Sequence, residues 1–389
     1  MSVRGGSAPA PSLLTPKILW FLLLALCSMT SFYVLSSVLP LYASASGTSA
    51  AGLTTGVMML STVLTEIGLT AVIARFAYRS MMALGAVLLG LPTLLLLATH
   101  ALPLILAVAF ARGAGLAVTV VTGTAVAADI APVARRGEML GIYGVAVTIP
   151  GALGQPTGVW LARQVGFAPV FLVAVVVALA AVAMAGFLPR GRGHEDAKVA
   201  LFSVVRRARV GRPALVFVLT TIAVGIYSTF LPLALLHVAP GWVAAALLAL
   251  NVAAAVSRWA AGRLGDRIGA IRLLVPGVVI AALGAALAVL VASPALVVAG
   301  MLLFGVGFGV LQNTTLALMF NSVGEREFGG VSGVWNAAYD SGIGIGAVGF
   351  GFLIGATGYP IGFALTAALL LLGVVPAVLE RRDRAHPAR

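Results

Sequence analysis

An internal repeat runs through the chain at a constant separation of 192 residues. The clearest matches are Ser36, Leu39, Pro40 and Leu41 with Ser228, Leu231, Pro232 and Leu233; Arg75 with Arg267; Gly85 with Gly277; Gly115 with Gly307; and Gly137, Gly141 and Gly154 with Gly329, Gly333 and Gly346. The offset holds without a gap over more than 110 positions, which chance rarely produces. The chain is therefore expected to fold as two related halves.

Composition sets the environment in which those halves fold. Hydrophobic residues make up 61% of the chain and charged residues only 9%, whereas a soluble domain carries about 25% charged residues. Lipid must therefore cover most of the surface. A single cysteine, Cys27, excludes an internal disulfide and a thiolate metal cluster. The net charge of +13 does not indicate nucleic-acid binding, because the basic residues flank the apolar runs.

Apolar runs broken by turn residues and charges predict twelve membrane spans. A helix needs about 20 apolar residues to cross a bilayer. The predicted spans are 18–43, 50–74, 81–99, 103–128, 138–162, 168–188, 213–237, 242–264, 271–292, 295–320, 329–355 and 359–379. We therefore expect an all-α membrane protein with twelve transmembrane helices in two six-helix pseudo-symmetric halves, an arrangement typical of transporters built from internal repeats.

Basic residues predict the orientation of these spans. Cytoplasmic loops carry an excess of Lys and Arg, and here Arg163 is the only basic loop residue on one side of the predicted membrane. Both termini are therefore expected in the cytoplasm, and the strong preference for Arg over Lys favours the inner membrane of a GC-rich bacterium. The predicted organisation is a disordered N-terminus at 1–16, a six-helix bundle at 17–188, a basic linker at 189–212, a second bundle at 213–380 and a cytoplasmic tail at 381–389.

The loop after the eighth predicted span carries a glycine- and arginine-rich motif. Residues 262–269 read Gly-Arg-Leu-Gly-Asp-Arg-Ile-Gly, which resembles a loop motif of the major facilitator superfamily. Residues 112–115 resemble that family's helix-4 arginine motif, and residues 151–156 resemble the helix-5 motif of its proton-coupled exporters. The resemblance covers residues 17–380 and favours the drug:proton antiporter-like branch. In the family this loop acts as a conformational latch, a role that the resemblance assigns here to Gly262, Asp266 and Arg267.

The chain departs from the family pattern in two places. By the 192-residue offset, Asp266 corresponds to Ala74 and Gly262 to Thr70, so the first-half copy of the loop lacks the acid and the glycine. The latch is therefore expected in the second half. Gln155 stands where the helix-5 motif of the family usually has glycine, which keeps a transporter of another mode open.

Four ionisable residues lie inside predicted spans: Glu66, Arg112, Arg258 and Asp340. A charge at the bilayer centre costs at least about 2.5–3.5 kcal/mol on insertion scales, so such residues face a cavity, pair with each other or titrate. We predict that Asp340 and Glu66 carry protons or contact a cationic group. The resemblance implies that Arg112 takes part in proton coupling as their charge partner. The alternative is that each side chain is held in a structural hydrogen bond or ion pair between helices.

Polar and aromatic side chains inside the spans are candidates for a substrate cavity. The resemblance implies that spans 1, 5, 7, 8 and 10 line it. Gln312 and Asn313 are adjacent and point about 100° apart on a helix, so they are not expected to face the cavity together. The alternative for each polar residue is a hydrogen bond between helices. The candidates are Tyr33, Gln155, Tyr227, Phe230, Asn251, Gln312, Asn313, Trp335, Asn336 and Tyr339.

The sequence carries no motif for ATP hydrolysis, metal binding or covalent catalysis. A phosphate-binding loop with its Lys and a His or Cys cluster at metal-ligand spacing are both absent. We therefore predict a non-enzymatic monomer without a cofactor, driven by protons, that exports a small organic molecule such as a drug, a metabolite or a metallophore by alternating access. The alternatives are a symporter or facilitator that imports a nutrient, and a membrane sensor or assembly partner that transports nothing.

Overall fold

The computed structural model describes residues 15–69, 75–132, 135–188, 191, 208–324 and 327–385, and its regular elements are helices. Their bounds are α1 Pro16–Ser36, α2 Val38–Ala43, α3 Thr48–Leu69, α4 Tyr78–Gly90, α5 Leu102–Ile130, α6 Arg136–Val165, α7 Phe167–Ala185, α8 Ala208–Ala234, α9 Pro240–Ile268, α10 Ile271–Leu287, α11 Pro294–Phe320, α12 Phe328–Leu372 and α13 Val374–Ala385. Short 3₁₀ segments, Ser44–Ser46 and Leu91–Leu97, extend α2 and α4.

Helical stretches suited to a bilayer dominate the described part of the chain. Nine of them are long and apolar enough to cross a membrane, and α10 is a shorter apolar helix of the same kind. The longest stretch, Phe328–Arg384, has 57 residues, or about 85 Å at 1.5 Å per residue. It is interrupted at Gly358, whose φ of 72° and ψ of 166° are not helical. Glycine adopts this conformation without the strain that a side chain would impose, so the chain turns back there.

Helix starts are marked by proline and by one side-chain cap. Proline occupies the first turn of α1, α5, α9 and α11, where its missing N–H removes no helical hydrogen bond. The Thr15 hydroxyl accepts a hydrogen bond from the backbone N–H of Ile18 at 3.4 Å. The predicted span boundaries therefore lie close to the observed ones wherever proline or glycine punctuates the sequence.

The two predicted halves touch along two helix pairs. Helix α3 packs on α12, and α6 packs on α9. Arginines at helix ends and in the short connections between helices mark one end of the bundle, here called the arginine-rich end: Arg75, Arg79, Arg135, Arg136, Arg263, Arg267 and Arg272. The other end, here called the opposite end, carries Arg163. The two contacts between α3 and α12 and between α6 and α9 frame the site described below.

Parts of the predicted organisation lie outside the described residues. This applies to most of the predicted disordered terminus at 1–16, to most of the basic linker at 189–212, and to Thr70 and Ala74 in the first-half loop. Two predicted boundaries fall inside helices. Residues 208–212 of the predicted linker begin α8, and residues 381–385 of the predicted tail end α13.

Candidate functional site

Two carboxylates from different helices meet inside the bundle, and they are called here the carboxylate pair. Glu66 lies on α3 and Asp340 lies on α12, and their side chains interact electrostatically. Asp340 is 8% exposed and lies twelve residues after Phe328, about 18 Å along the helix axis. Among the described residues, no hydrogen bond or ion pair reaches either carboxylate. The pair therefore places two ionisable groups without a described polar partner inside the bundle.

Aromatic rings from three helices pack together around Tyr339, the residue before Asp340 on α12. The ring of Trp335 stacks on Phe217 at 4.4 Å between centroids, and Tyr339 lies 6.0 Å from Trp335 and 6.4 Å from Phe308. The indole N–H of Trp335 donates to the Thr315 hydroxyl at 3.2 Å. This wall holds α8, α11 and α12 together beside the carboxylate pair.

Two tyrosines complete the surroundings of the pair. Tyr33 of α1 and Tyr339 of α12 both interact electrostatically with Asp340. Two of the five aromatic residues that the sequence predicted to line a cavity therefore lie close to the predicted proton-coupling acid, one on each predicted half.

Arg258 of α9 provides a positive charge beside these aromatic rings. Its guanidinium donates to Gln312 Oε1 at 3.3 Å and lies 5.7 Å from the ring centroid of Trp335. The neighbouring Asn313 points elsewhere, since a Cβ at Gly262 would lie 3.2 Å from its Nδ2 atom. Gln312 and Asn313 thus face different surroundings, as their adjacent positions on one helix require.

Arg112 is buried among backbone oxygens. It is 1% exposed. One guanidinium nitrogen donates to the carbonyls of Ser31 at 2.8 Å and Phe32 at 3.3 Å. The other donates to the Leu89 carbonyl and to the Thr93 hydroxyl at 3.1 Å, while Nε has no partner among the described residues. Arg112 therefore joins α1, α4 and α5, and its predicted role in proton coupling stays a prediction.

A chain of hydrogen bonds crosses from α6 to α9 and from α1 to α8. Gln155 donates to the Ser37 hydroxyl at 2.6 Å and accepts from Asn251 at 3.0 Å. The Ser37 hydroxyl in turn donates to the carbonyl of Ser228. Two predicted cavity residues, Gln155 and Asn251, therefore bond to each other across the predicted halves.

Further contacts tie the two predicted halves at the opposite end. The hydroxyls of Thr55 and Thr229 are 2.9 Å apart. Arg163 donates to the carbonyls of Leu236 and Val238, each at 2.8 Å, and to that of Leu235 at 3.3 Å. Within the described ranges, every hydrogen bond between helices α1–α7 and α8–α13 belongs to this set or to the Gln155 chain. We call the whole set the closed end.

Three other predicted cavity residues lie apart from the carboxylate pair or make no hydrogen bond there. Tyr227 is fully buried against Phe304, with ring centroids 5.1 Å apart, and Phe230 packs on Phe350 at 4.9 Å. Asn336 is partly buried on α12. Tyr227 and Phe230 thus contribute to packing around α8.

The predicted latch lies at the arginine-rich end of α9. Asp266 and Arg267 are exposed, and no hydrogen bond or ion pair joins Asp266 to another described residue. Gly262 lies against α11, where Asn313 packs. The motif was predicted to be a loop, but residues 262–268 form the last turns of α9, and the predicted latching role stays a prediction.

Sequence reasoning missed the hydroxyl residues of the closed end. Ser37, Thr55 and Thr229 sit in apolar runs, where an isolated hydroxyl also bonds its own helix. One signal was available, because Ser37 and Thr229 are related by the 192-residue offset beside the repeated Ser-Leu-Pro-Leu positions. No three His, Cys, Asp or Glu side chains of the described residues lie close enough together to hold a metal ion.

A bacterial protein sequence matches part of this chain. The uncharacterized MFS-type transporter YtbD of Bacillus subtilis (strain 168) is 27% identical over 151 residues, which are 37% of this chain and 38% of YtbD. The chain thus matches well under half the length of that relative.

Solved structures extend the similarity to nearly the whole chain. A POT family transporter in complex with 5-aminolevulinic acid matches with a TM-score of 0.77 and 13% identity over 96% of each chain. A bacterial homolog to the human lysosomal transporter Spinster, inward-facing and occupied, gives 0.76 and 18%, covering 97% of this chain and 98% of that one. The nucleoside transporter NupG gives 0.69 and 13%, covering 94% and 98%. At these identities the likeness concerns the fold.

The family follows from a match over most of the sequence. The family model described as Major Facilitator Superfamily matches residues 21–347. Together with the apolar helices, this match makes the chain an integral membrane protein and a transporter rather than an enzyme. The chain belongs to the Major Facilitator Superfamily.

Proposed function

We propose that this protein is a proton-coupled secondary transporter that exports a small organic molecule by alternating access. The carrying observation is the carboxylate pair, in which Glu66 and Asp340 interact across the contact between α3 and α12 without a hydrogen-bonded or ionic partner among the described residues. Intramembrane charges in transporters mark ion and substrate pathways.

The proposal includes twelve spans in two six-helix halves. Of the nine long apolar stretches, Phe328–Arg384 counts as two spans because of the break at Gly358. Adding α6, which has 30 residues, and α10, which has 17, gives twelve. The 192-residue repeat supports dividing them between residues 17–188 and 213–380, joined by the basic linker at 189–212, with the tail at 381–389.

The positions of the arginines and of the hydrogen bonds between halves support a proposed orientation and conformational state. Positive loops face the cytoplasm, so the arginine-rich end and both termini are placed there, in the inner membrane of a bacterium. The hydrogen bonds between halves then lie towards the outside, as with Gln155 to Asn251 and Arg163 to Leu236. We therefore interpret this conformation as inward-facing, and we propose that the protein works as a monomer without a cofactor.

The carboxylate pair supplies the coupling chemistry in this proposal. Two carboxylates that repel each other away from water are stabilised by a shared proton or by a bound cation. If the proton and the substrate occupy this place in turn, release of one favours binding of the other, and exchange results. Because Glu66 and Asp340 sit on different halves, the charge state of the pair also biases how the halves meet.

Proton movement in proteoliposomes tests the proposal directly. A trapped pH-sensitive dye would report substrate-induced proton flux for a panel of lipophilic cations, metabolites and chelators. We expect flux with the wild type, and loss of flux with Asp340→Asn and with Glu66→Gln. Glu138→Gln is the matched control, because that carboxylate is exposed at the arginine-rich end and pairs with Arg135 at 2.8 Å; it should retain flux.

Two outcomes would contradict the proposal. Substrate transport without proton flux would make the protein a facilitator. Unchanged proton flux in Asp340→Asn would remove the carboxylate pair from the coupling path and leave Asp340 with a structural role.

A further inference from the structure

A groove opens between α3 and α12 beside their closest contact. The two helices meet through small residues: a Cβ on Gly52 would clash with the Ala347 carbonyl, and one on Gly351 would lie 3.3 Å from the Cα atom of Gly52. Beyond this contact a groove of about 630 Å³ remains. Its walls include Leu53, Val57 and Leu60 of α3 and Asp340, Ile345 and Val348 of α12.

The groove faces lipid. Ser61 and Thr62 turn the neighbouring face of α3 toward α5, with hydrogen bonds to the carbonyls of Phe110 at 2.7 Å and Gly113 at 3.1 Å. The face that remains carries Leu60, which is 56% exposed. Ile345, opposite it on α12, is 58% exposed. Exposed apolar side chains in the outer part of a membrane bundle contact lipid, so the groove connects the hydrocarbon core to Asp340.

The lining has one charge, and that charge is negative. Asp340 is the only ionisable residue among the described residues that line the groove, and Glu66 adds a second negative charge nearby. A purely apolar occupant would leave the Asp340 carboxylate desolvated and unpaired, which is costly. An anionic occupant would be repelled. The complementary occupant has an apolar body and one positive charge.

We infer that this groove is a lateral entry and binding site, through which an amphiphilic cation dissolved in the membrane reaches Asp340. This inference rests on the proposed function and names the class of substrate for the same carboxylate. The apolar body lies along Leu53, Val57 and Ile345, and the cationic centre lies against Asp340. A volume of about 630 Å³ is within the range of sites that hold drug-sized ligands, about 300–1,000 Å³.

Glycines on α12 allow a matched test. Gly349 lines the groove, and a Cβ there would meet no other atom within 4 Å. Gly349→Leu therefore adds a larger side chain to the groove wall without a clash at its Cβ. Gly355 lies on the same helix, is also exposed with no atom within 4 Å, and is not part of the lining. Gly355→Leu therefore adds the same side chain elsewhere.

The measurement is equilibrium binding of radiolabelled tetraphenylphosphonium to the full chain in lipid nanodiscs. We expect saturable binding to the wild type and to Gly355→Leu. Gly349→Leu should weaken affinity by about tenfold or more, because its side chain competes for the packed space. Asp340→Asn should weaken it by about thirtyfold or more, because the buried charge partner is lost.

The outcomes separate this inference from the proposed function. No binding to the wild type, or equal binding to Gly349→Leu and Gly355→Leu, overturns the groove as an entry site. If another substrate still elicits proton flux that Asp340→Asn abolishes, the proposed function stands without the groove. Binding that depends on Gly349 and Asp340, with no proton flux from any substrate, supports the groove and overturns proton coupling.

Discussion

Arg112 and Asp340 are both buried charges far from either membrane surface, but their surroundings differ. Arg112 is 1% exposed and donates to four oxygen atoms. Asp340 is 8% exposed, and no described residue donates a hydrogen bond to it. A satisfied buried charge holds its neighbours in place, whereas an unsatisfied one is available to a proton or a cation. In the proposed function this difference makes Asp340, rather than Arg112, the charge that a proton or a cation can reach.

Among the variants that test this comparison, Arg112→Met is expected to lower the free energy of unfolding the most. The substitution leaves carbonyls of α1 and α4 without a donor, which costs about 1–3 kcal/mol for each buried acceptor left unpaired. Asp340→Asn removes a carboxylate without a described partner, so it should leave stability unchanged or raise it. Thermal unfolding in detergent, followed by tryptophan fluorescence, measures both. If Asp340→Asn were less stable than Arg112→Met, Asp340 rather than Arg112 would be the charge that stabilises the bundle.

Arg112→Lys sharpens the same comparison with a smaller effect. Lysine keeps the positive charge but lacks the planar fork that reaches Ser31 and Leu89 together. A loss of about 1–3 kcal/mol is expected for the acceptors left unpaired, again from thermal unfolding. Wild-type stability in this variant would mean that charge alone, without its geometry, satisfies the site.

Gln155→Leu tests an uncharged polar group for comparison with Arg112 and Asp340. The amide of Gln155 carries no charge and makes hydrogen bonds to both Ser37 and Asn251. Losing the bonds to Ser37 and Asn251 should shift the balance away from the inward-facing state by about 1–2 kcal/mol, or about 5–30-fold in the conformer ratio. Spin labels at Ala101 and Ala292, in a Cys27→Ser background, report the separation of the two halves at the closed end.

Thr157→Val is the control for that experiment. Thr157 is exposed on the same helix, and its hydroxyl bonds only the Leu153 carbonyl one turn away. It should leave the label distances unchanged. An equal shift in Gln155→Leu and Thr157→Val would mean that the loss of any polar side chain from α6 changes the label distances. The hydrogen bonds between the halves would then not explain the effect of Gln155→Leu.

Arg163→Gln should have the smallest effect. Arg163 is only partly buried, so its bonds to Leu236 and Val238 compete with water. We expect a shift in the same label distances of at most about 1 kcal/mol, smaller than for Gln155→Leu. A larger shift than that of Gln155→Leu would mean that the hydrogen bonds of Arg163, rather than those of Gln155, hold the closed end together most strongly.

The sequence predicted helix positions better than helix rotations. The predicted span 138–162 became α6 at 136–165, and the predicted break between 355 and 359 coincides with Gly358. Glycine, proline and charge mark where a helix begins or ends, so these boundaries are local. The predicted family was confirmed for the same reason, because its motifs are local sequences.

The site required contacts that sequence spacing does not contain. Spacing put Asp340 and Glu66 at membrane depth, but their proximity depends on how α3 and α12 pack. It also made Gln312 and Asn313 equivalent candidates, and only the position of Arg258 separates them. Gln155 was predicted to line a cavity, yet it bonds Asn251 across the halves, because a small rotation of α6 decides between the two.

The close meeting of Gly52 and Gly351 gives the bundle a pivot. Neither residue has a side chain, so nothing on these two positions obstructs a tilt of α3 against α12 at this contact. Glu66 lies fourteen residues from Gly52, a lever arm of about 21 Å, so a tilt of about 10° moves it by about 4 Å. A tilt at this contact would change the distance between the two carboxylates, and in the proposed function the proton would thereby act on how the two halves meet.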